Sequence, residues 1–279
     1  MELESGLYVT ATPIGNLADL SARARDVLTN ADLVAAEDTR VTAKLLNHFG
    51  IATKMLAYHD HNAPAVRPRI LEVLAEGGSV VLVSDAGTPL ISDPGLKLVQ
   101  AAIDAGHRVV PVPGASALLA ALMVSGLPTD RFLFTGFLPG KHAARKTALA
   151  ELARIDASLI FYESGRRLAA VLEDMAAALG VREAAVCREL TKRFEEVRRG
   201  PLAALAEGYR REAAPKGEIV VVVGPPEKAA AAGADETDLA LEHALKSLSV
   251  KEAAAAVAYL TGRPRRELYA RALALKEGR

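Results

Sequence analysis

Apolar runs of four to six residues alternate along the chain with stretches of helical periodicity. In the first half, Leu7–Thr12, Leu33–Ala36, Val80–Ser84 and Val109–Val112 read as strands; Ala22–Thr29, Thr42–Phe49, Val66–Ala75 and Leu96–Ala105 read as helices. The strands are nearly unbroken Val, Leu and Ala, without the polar alternation of a half-exposed sheet. Such runs suit parallel strands covered by helices on both faces. The turn-rich Ser125-Gly126-Leu127-Pro128 interrupts the pattern. The theme then repeats, with strands predicted at Phe132–Thr135, Leu159–Tyr162, Ala184–Arg188 and Ile219–Val223, and helices at Ala143–Ala153, Arg167–Leu179 and Leu202–Arg210. After Pro225-Pro226 and the low-complexity Ala229–Ala234, the rest reads as helix: Asp238–Leu245, Ala253–Leu260 and Arg265–Leu275. Ser249 with Glu252 three residues on has the form of a capping box. The last two helices, joined by Thr261-Gly262-Arg263-Pro264, resemble a helix-turn-helix; a small helical cap or dimer contact fits the pattern equally. The predicted class is α/β, with one α/β domain over 1–125, a second over 126–226 and a basic helical extension over 235–279.

Composition agrees with two packed cores. The chain has 279 residues, 51% hydrophobic and 24% charged, which disfavours wholesale disorder. Its single cysteine, Cys187, permits no internal disulfide and gives no zinc-ligand spacing. The start is short and acidic, unlike a signal peptide, and no apolar run approaches the roughly 20 residues a bilayer span needs. These features predict a cytoplasmic protein with no membrane partner. The net charge of zero is unevenly spread: residues 1–130 carry 14 acidic and 9 basic side chains, residues 246–279 carry 3 and 8. A basic tail fits a polyanionic partner, and fits a solvated helix surface equally well.

Candidate chemistry gathers where predicted strands end. Thr12-Pro13-Ile14-Gly15-Asn16-Leu17 follows the first strand, Ser84 to Gly95 follows Val80–Val83, and Pro113-Gly114-Ala115-Ser116-Ala117 follows Val109–Val112. Open α/β sheets bind ligands beyond the carboxyl ends of their strands, and glycine allows close backbone approach there. Ser116 is placed to N-cap the helix after it, whose free amides would suit a carboxylate. No G-x-x-x-x-G-K-[ST] and no strand-linked G-x-G-x-x-G occurs, which disfavours a phosphate-loop hydrolase and the usual dinucleotide fold.

Nine segments in order carry a resemblance: TPIGNL at 12–17, AEDTR at 36–40, YHDHN at 58–62, SDAGTPLISDPG at 84–95, VPGAS at 112–116, GFLP at 136–139, FYESGR at 161–166, RELTK at 188–192 and KGEI at 216–219. Together they resemble the tetrapyrrole-methylase superfamily of S-adenosylmethionine (SAM)-dependent methyltransferases, and within it the branch that acts on ribosomal RNA. The resemblance implies two α/β domains with SAM in the cleft between them, usually in a homodimer. It implies methylation of the ribose 2′-hydroxyl of a cytidine in the decoding region of 16S (small-subunit) rRNA, within the assembled 30S subunit. By motif, the cofactor positions are Pro13, Ala86, Gly87, Thr88, Ile91, Ser116 and Ala117 from the first domain, and Tyr162, Leu190 and Gly217 from the second. Relatives acting on tetrapyrroles often carry Gly-Asp-Pro where this chain has Gly87-Thr88-Pro89, a departure that agrees with the rRNA branch.

Methyl transfer rewards alignment of the acceptor oxygen with the methyl carbon, and a ribose hydroxyl also needs a base or a charge to steady the developing alkoxide. No metal is required. Glu37 or Asp38 is the expected proton acceptor and Arg40 the expected phosphate contact, with helix capping by Asp38 or Thr39 as the competing structural role. Lys192 is a second candidate for stabilising an alkoxide or phosphate. His59 and His61 share a face of an extended chain but lack further metal ligands, so RNA contact or loop polarity fits better. Lys141, His142, Arg145 and Lys146 form a basic helix start suited to phosphates. Glu163 and Arg166 pair as a structural ion pair, and Cys187 reads as a buried strand residue. Aromatic content of 4% gives no broad base-stacking platform, so an RNA would be recognised by shape. The competing functions are tetrapyrrole methylation in the same fold, a non-catalytic RNA-binding assembly factor, and a nucleotide hydrolase.

Overall fold

The computed structural model describes residues 3–226, 234–261 and 263–277. The chain forms two compact units, 1–225 and 226–279. The predicted linker Ala229–Ala234, except for its last residue, and Gly262 of the predicted turn lie outside the described residues.

The first unit opens with a five-stranded parallel sheet in the order β3-β2-β4-β1-β5, formed by β1 (Gly6–Thr10), β2 (Leu33–Ala36), β3 (Met55–Ala57), β4 (Ser79–Val83) and β5 (Val109–Val112). Strand alternation sorts the central residues. Val81 and Val83 pack with α1 (Ala22–Asn30) and α2 (Thr39–His48) on one face. Val80 and Leu82 pack with α3 (Ala63–Ala75) and α4 (Leu96–Asp104) on the other. Burial on both faces explains the unbroken apolar runs, each such side chain contributing about 1.5–3 kcal/mol.

The second sheet, ordered β6-β7-β10-β8-β9, comprises β6 (Phe132–Phe137), β7 (Ser158–Ser164), β8 (Glu183–Arg188), β9 (Glu196–Pro201) and β10 (Glu218–Val223). Only β6 and β7 run parallel; the other pairs are antiparallel, unlike the repeat that the sequence predicts. A strand buried on both faces reads alike in either direction. One face carries α6 (His142–Leu152), α7 (Leu168–Leu179) and α8 (Leu202–Arg211). The other carries α5 (Ala117–Ser125), with Leu118, Ala121 and Leu122 against Ile160, Cys187 and Val220.

In the second unit, α9 (Ala234–Ala244), α10 (Val250–Thr261) and α11 (Arg265–Glu277) enclose Leu241, Ala254, Val257, Leu268 and Ala272. Ser249 and Glu252 form the predicted capping box: Ser249 N–H donates to Glu252 Oε2 at 3.0 Å, and Glu252 N–H donates back to Ser249 Oγ at 3.3 Å. Among the described residues no helix is long and apolar enough to cross a membrane.

Candidate active site

The sheet order opens a crevice at one edge. Neighbouring β1 and β4 send their chains to opposite faces, β1 to α1 and β4 to α4, so the loops after them diverge. A two-residue bridge pins the loops at their base: Thr12 N–H donates to Gly87 O at 2.8 Å and Gly87 N–H to Thr12 O at 3.0 Å. Thr88 Oγ1 then donates to Ala115 O at 3.1 Å, tying the β4 loop to the β5 loop. Gly87 takes φ +80°, and a Cβ there would press on Ile14 at 3.3 Å.

This edge faces the second sheet across a cavity of about 360 Å³. Nine of the ten positions assigned to a cofactor line it: Ala86, Gly87, Thr88, Ile91, Ser116 and Ala117 on one side, Tyr162, Leu190 and Gly217 on the other. Pro13 instead lines an adjoining hollow of about 170 Å³, with Thr12, Gly15, Lys44 and Asp85. Ser92, Asp93, Phe137, Ser164 and Glu218 line the main cavity without having been singled out. Asp93 and Phe137 lie inside recognisable motifs, but a loop sequence does not disclose which of its side chains turns inward.

Tyr162 is the central aromatic. Its ring stands edge-on to Phe134 and Phe137, with centroids 4.8 and 5.6 Å away. Burial raises its phenol above the usual range, the Leu118 amide opposes this, and the charges of Asp93 and Glu218 add to it. Ser116 stands at the N-cap of α5, but its side chain makes no cap hydrogen bond, contrary to the capping expectation.

Backbone strain concentrates here. The four non-glycine residues with left-handed φ among those described are Leu90 (73°), Ser92 (66°), Glu189 (50°) and Thr191 (66°). Two belong to the β4 loop and two to the β8–β9 loop, one from each wall. For β-branched Thr191 this conformation is costly, and such strain persists only where packing over-determines it.

Lys192 extends from the same strained loop. Its Nζ donates to Glu189 Oε1 at 2.8 Å and to Glu218 Oε2 at 2.9 Å. Burial favours the neutral amine, but the two carboxylates outweigh it and hold the pKa above the usual lysine value, so Lys192 is an ammonium. The lysine stem lies where a Cβ on Gly15 would fall, so the two walls touch through this pair. Gly217, at φ +101°, clears the Glu189 carboxylate, which a Cβ would meet at 2.5 Å.

Glu37, Asp38 and Arg40 stand at the end of β2 and the start of α2. Asp38 Oδ1 accepts the Arg40 amide at 2.8 Å, which is the N-cap role, and the Arg40 guanidinium closes on the same carboxylate at 2.6 Å. Those bonds hold the Asp38 carboxyl down to about 2. Glu37 Oε2 accepts from the Asp85 amide at 3.3 Å, and burial raises its pKa, with the charges of Asp93, Asp85 and Asp60 adding to the rise. The Arg40 side chain is 88% exposed.

Two expectations need correction. Glu163 pairs with Arg167 at 3.2 Å, not with Arg166, because a turn closed by Arg167 N–H donating to Ser164 O at 3.0 Å brings Arg167 back onto the strand end. Arg145 is buried with Asp174, at 2.6 Å, so it is absent from the basic surface on which Lys141, His142 and Lys146 are exposed. His59 and His61 have ring centroids 6.0 Å apart, and among the described residues no group of three or more His, Cys, Asp or Glu is arranged to hold a metal. Cys187 is fully buried on β8.

Comparison with known proteins places this geometry. The family described as Tetrapyrrole (Corrin/Porphyrin) Methylases matches residues 6–206, and the RsmI C-terminal HTH domain matches residues 228–276. The chain is 54% identical over 276 residues to a Mesorhizobium japonicum protein named Ribosomal RNA small subunit methyltransferase I, covering 99% of this chain and 94% of the relative. It is 49% identical over 271 residues to the protein of that name from Xylella fastidiosa, covering 96% and 99%. In fold it is similar to uroporphyrin-III C-methyltransferase from Thermus thermophilus, solved in complex with S-adenyl homocysteine (TM-score 0.53, 21% identity, 78% of this chain and 97% of that one). The chain belongs to the tetrapyrrole methylase family, in the branch of the proteins named ribosomal RNA small subunit methyltransferase I.

Proposed function

We propose that this protein is a SAM-dependent methyltransferase that 2′-O-methylates a cytidine in the decoding region of small-subunit rRNA. The observation that carries the reading is the convergence of motif residues from both sheets on one cavity. The cavity suits the cofactor's chemistry. Its volume is that of a small-molecule site, and Ile14, Ile91, Phe137 and Tyr162 give it apolar walls. Gly87 and Gly217 let backbone approach closely, and α5 presents a first turn uncapped by Ser116. When bound, SAM supplies an electrophilic methyl carbon on its sulfonium centre.

The chain's own residues bind and orient. Pro13, Ala86 to Thr88, Ile91, Ser116 and Ala117 hold the cofactor from the first sheet, and Tyr162, Leu190 and Gly217 from the second. Glu37, Asp38 and Arg40 form the acceptor side, where exposed Arg40 meets a phosphate. Lys192 braces Glu189 and Glu218. The acceptor class rests on the relatives' names and on the basic α11. The finer reading is a cytoplasmic homodimer acting on assembled 30S subunits. Exposed Leu119 and Met123 on α5, and Phe132 and Leu133 on β6, offer apolar surface for the second copy.

The direct test supplies radiolabelled SAM and purified protein to small subunits from cells lacking this enzyme. Label confined to one rRNA ribose is the expected result. Intact SAM binding with no label in subunits would move the assignment to a small-molecule acceptor.

A further inference from the structure

We propose that the hollow between the β1 loop and α2 receives the base of the acceptor nucleotide, and that Asp85 selects cytosine there by accepting from its exocyclic amine. The inference rests on the rRNA 2′-O-methylation reading and names the base subsite of that same site.

The hollow and the cofactor cavity share a wall. In the β1 loop Thr12 and Pro13 line the hollow and Ile14 lines the cavity. In the β4 loop Ser84 and Asp85 line the hollow, and Ala86 and Gly87 line the cavity. A base seated in the hollow leaves its ribose at that wall, toward the methyl donor. At about 170 Å³ the hollow lies below the roughly 300 Å³ at which whole-ligand pockets begin, so it suits a single ring. Pro13, Leu17, Val41 and Leu45 offer apolar contact to the ring's faces. RNA is read in this way, by unstacked bases held on their faces and hydrogen-bonded on their Watson–Crick edges.

The free polar groups set the choice of base. Thr12 Oγ1 donates to Ser84 O at 3.2 Å and Ser84 Oγ to Ala86 O at 3.4 Å, so both hydroxyls are spent within the wall. Three groups that line the hollow remain. The Asp85 carboxylate accepts the Asp38 amide on Oδ1 at 3.0 Å, while the Asp85 amide donates to Glu37 Oε2 at 3.3 Å. This exchange with the end of β2 holds Asp85 in place and leaves Oδ2 without a hydrogen bond among the described residues. Thr42 is 3% exposed, and its hydroxyl makes no hydrogen bond among the described residues. Lys44 makes no ion pair among them. The acceptor thus comes from the end of β4 and both donors from α2. Cytosine's edge suits that order, with its amine donor at one end and two acceptors after it. Uracil carries its donor between two acceptors and would turn O4 toward the carboxylate. Aspartate accepting from cytosine N4 is an established pairing. Arg40, one helical turn before Lys44, offers charge to the adjoining phosphate.

The experiment uses small subunits reconstituted with either cytidine or uridine at the position that wild type labels. Wild type, Asp85→Asn and Thr42→Val are compared by kcat/KM on each substrate and by calorimetric SAM affinity. We expect wild type to favour cytidine by about 10- to 100-fold. The Asp85→Asn amide can donate to uracil O4, so this variant should lose on cytidine, gain on uridine and bring the ratio within about threefold of unity. Its SAM affinity should stay within about threefold of wild type, which also reports its fold. Thr42→Val should lose about tenfold on both substrates and keep the wild-type preference. A wild type that does not distinguish the bases overturns the proposal, as does an Asp85→Asn that slows both equally. Thr42→Val leaves the Asp85 contacts intact and decides the matter if Asp85→Asn no longer binds SAM: a rate within about twofold of wild type on cytidine overturns the subsite. Label on cytidine with an unchanged ratio refutes the subsite alone. No label from wild type that binds SAM normally refutes the rRNA reading, and the proposal with it.

Discussion

Cys187 illustrates how position governs a side chain's chemistry. It faces α5 from β8, its Sγ donating to Ala121 O at 3.9 Å. Burial pushes the thiol up to about 11, with Arg199 opposing and Glu195 adding. At pH 8 only about one thiol in a thousand would be ionised, and the thiolate is the nucleophile. Iodoacetamide should leave native protein unlabelled at pH 8 over a period in which urea-unfolded protein labels fully, as mass spectrometry would show; rapid native labelling would refute the burial. Arg145 is the opposite case. Its sequence setting, Lys141-His142-Ala143-Ala144-Arg145-Lys146, marks it as surface charge, yet it is buried on an ion pair. Nothing local distinguishes it from Lys146; its partner, Asp174, lies 29 positions away.

That pair acts at the scale of elements, because it joins α6 to α7. Arg145 Nε donates to Asp174 Oδ2 at 2.6 Å, and His142 Nδ1 lies 3.1 Å from the same oxygen. Removing one partner leaves a buried charge uncompensated, so Asp174→Ala should cost about 3–5 kcal/mol in urea unfolding. The double replacement Arg145→Met with Asp174→Leu should recover most of the loss. Equal unfolding midpoints for wild type and Asp174→Ala would count against the clasp. Two elements escaped the sequence reading, and a third was expected only from the loop before it. β3 is three half-buried residues, too short for a period to show. β9, Glu196-Val197-Arg198-Arg199-Gly200-Pro201, reads as a charge run because it is an edge strand, where charge deters pairing with other chains. α5 is apolar on nearly every side, so no helical stripe marks it.

At the scale of the molecule, each unit carries its own core and its own charge. The second unit presents Arg265 and Arg266 at the exposed start of α11, while Arg271 is tied to Asp238. If this surface meets rRNA phosphates, Arg265→Glu with Arg266→Glu should leave SAM affinity unchanged and weaken subunit binding. The slope of log affinity against log salt should shrink by about two. An unchanged slope would mean that these arginines contact no phosphate.

The α/β class, the strands of both sheets apart from β3 and β9, and the loops that face the cavity follow from sequence alone, because a buried strand must be apolar and a close backbone approach favours glycine. Those are local demands, visible residue by residue. The antiparallel pairing of the second sheet, the burial of Arg145 and the choice of Arg167 over Arg166 are set by partners distant in the chain or by a turn of the backbone. So is the inward turn of Asp93, since a loop of Ser, Asp, Gly and Pro is polar whichever side chain faces the cavity. Tertiary structure alone brings the β4 loop to the same cavity as Tyr162.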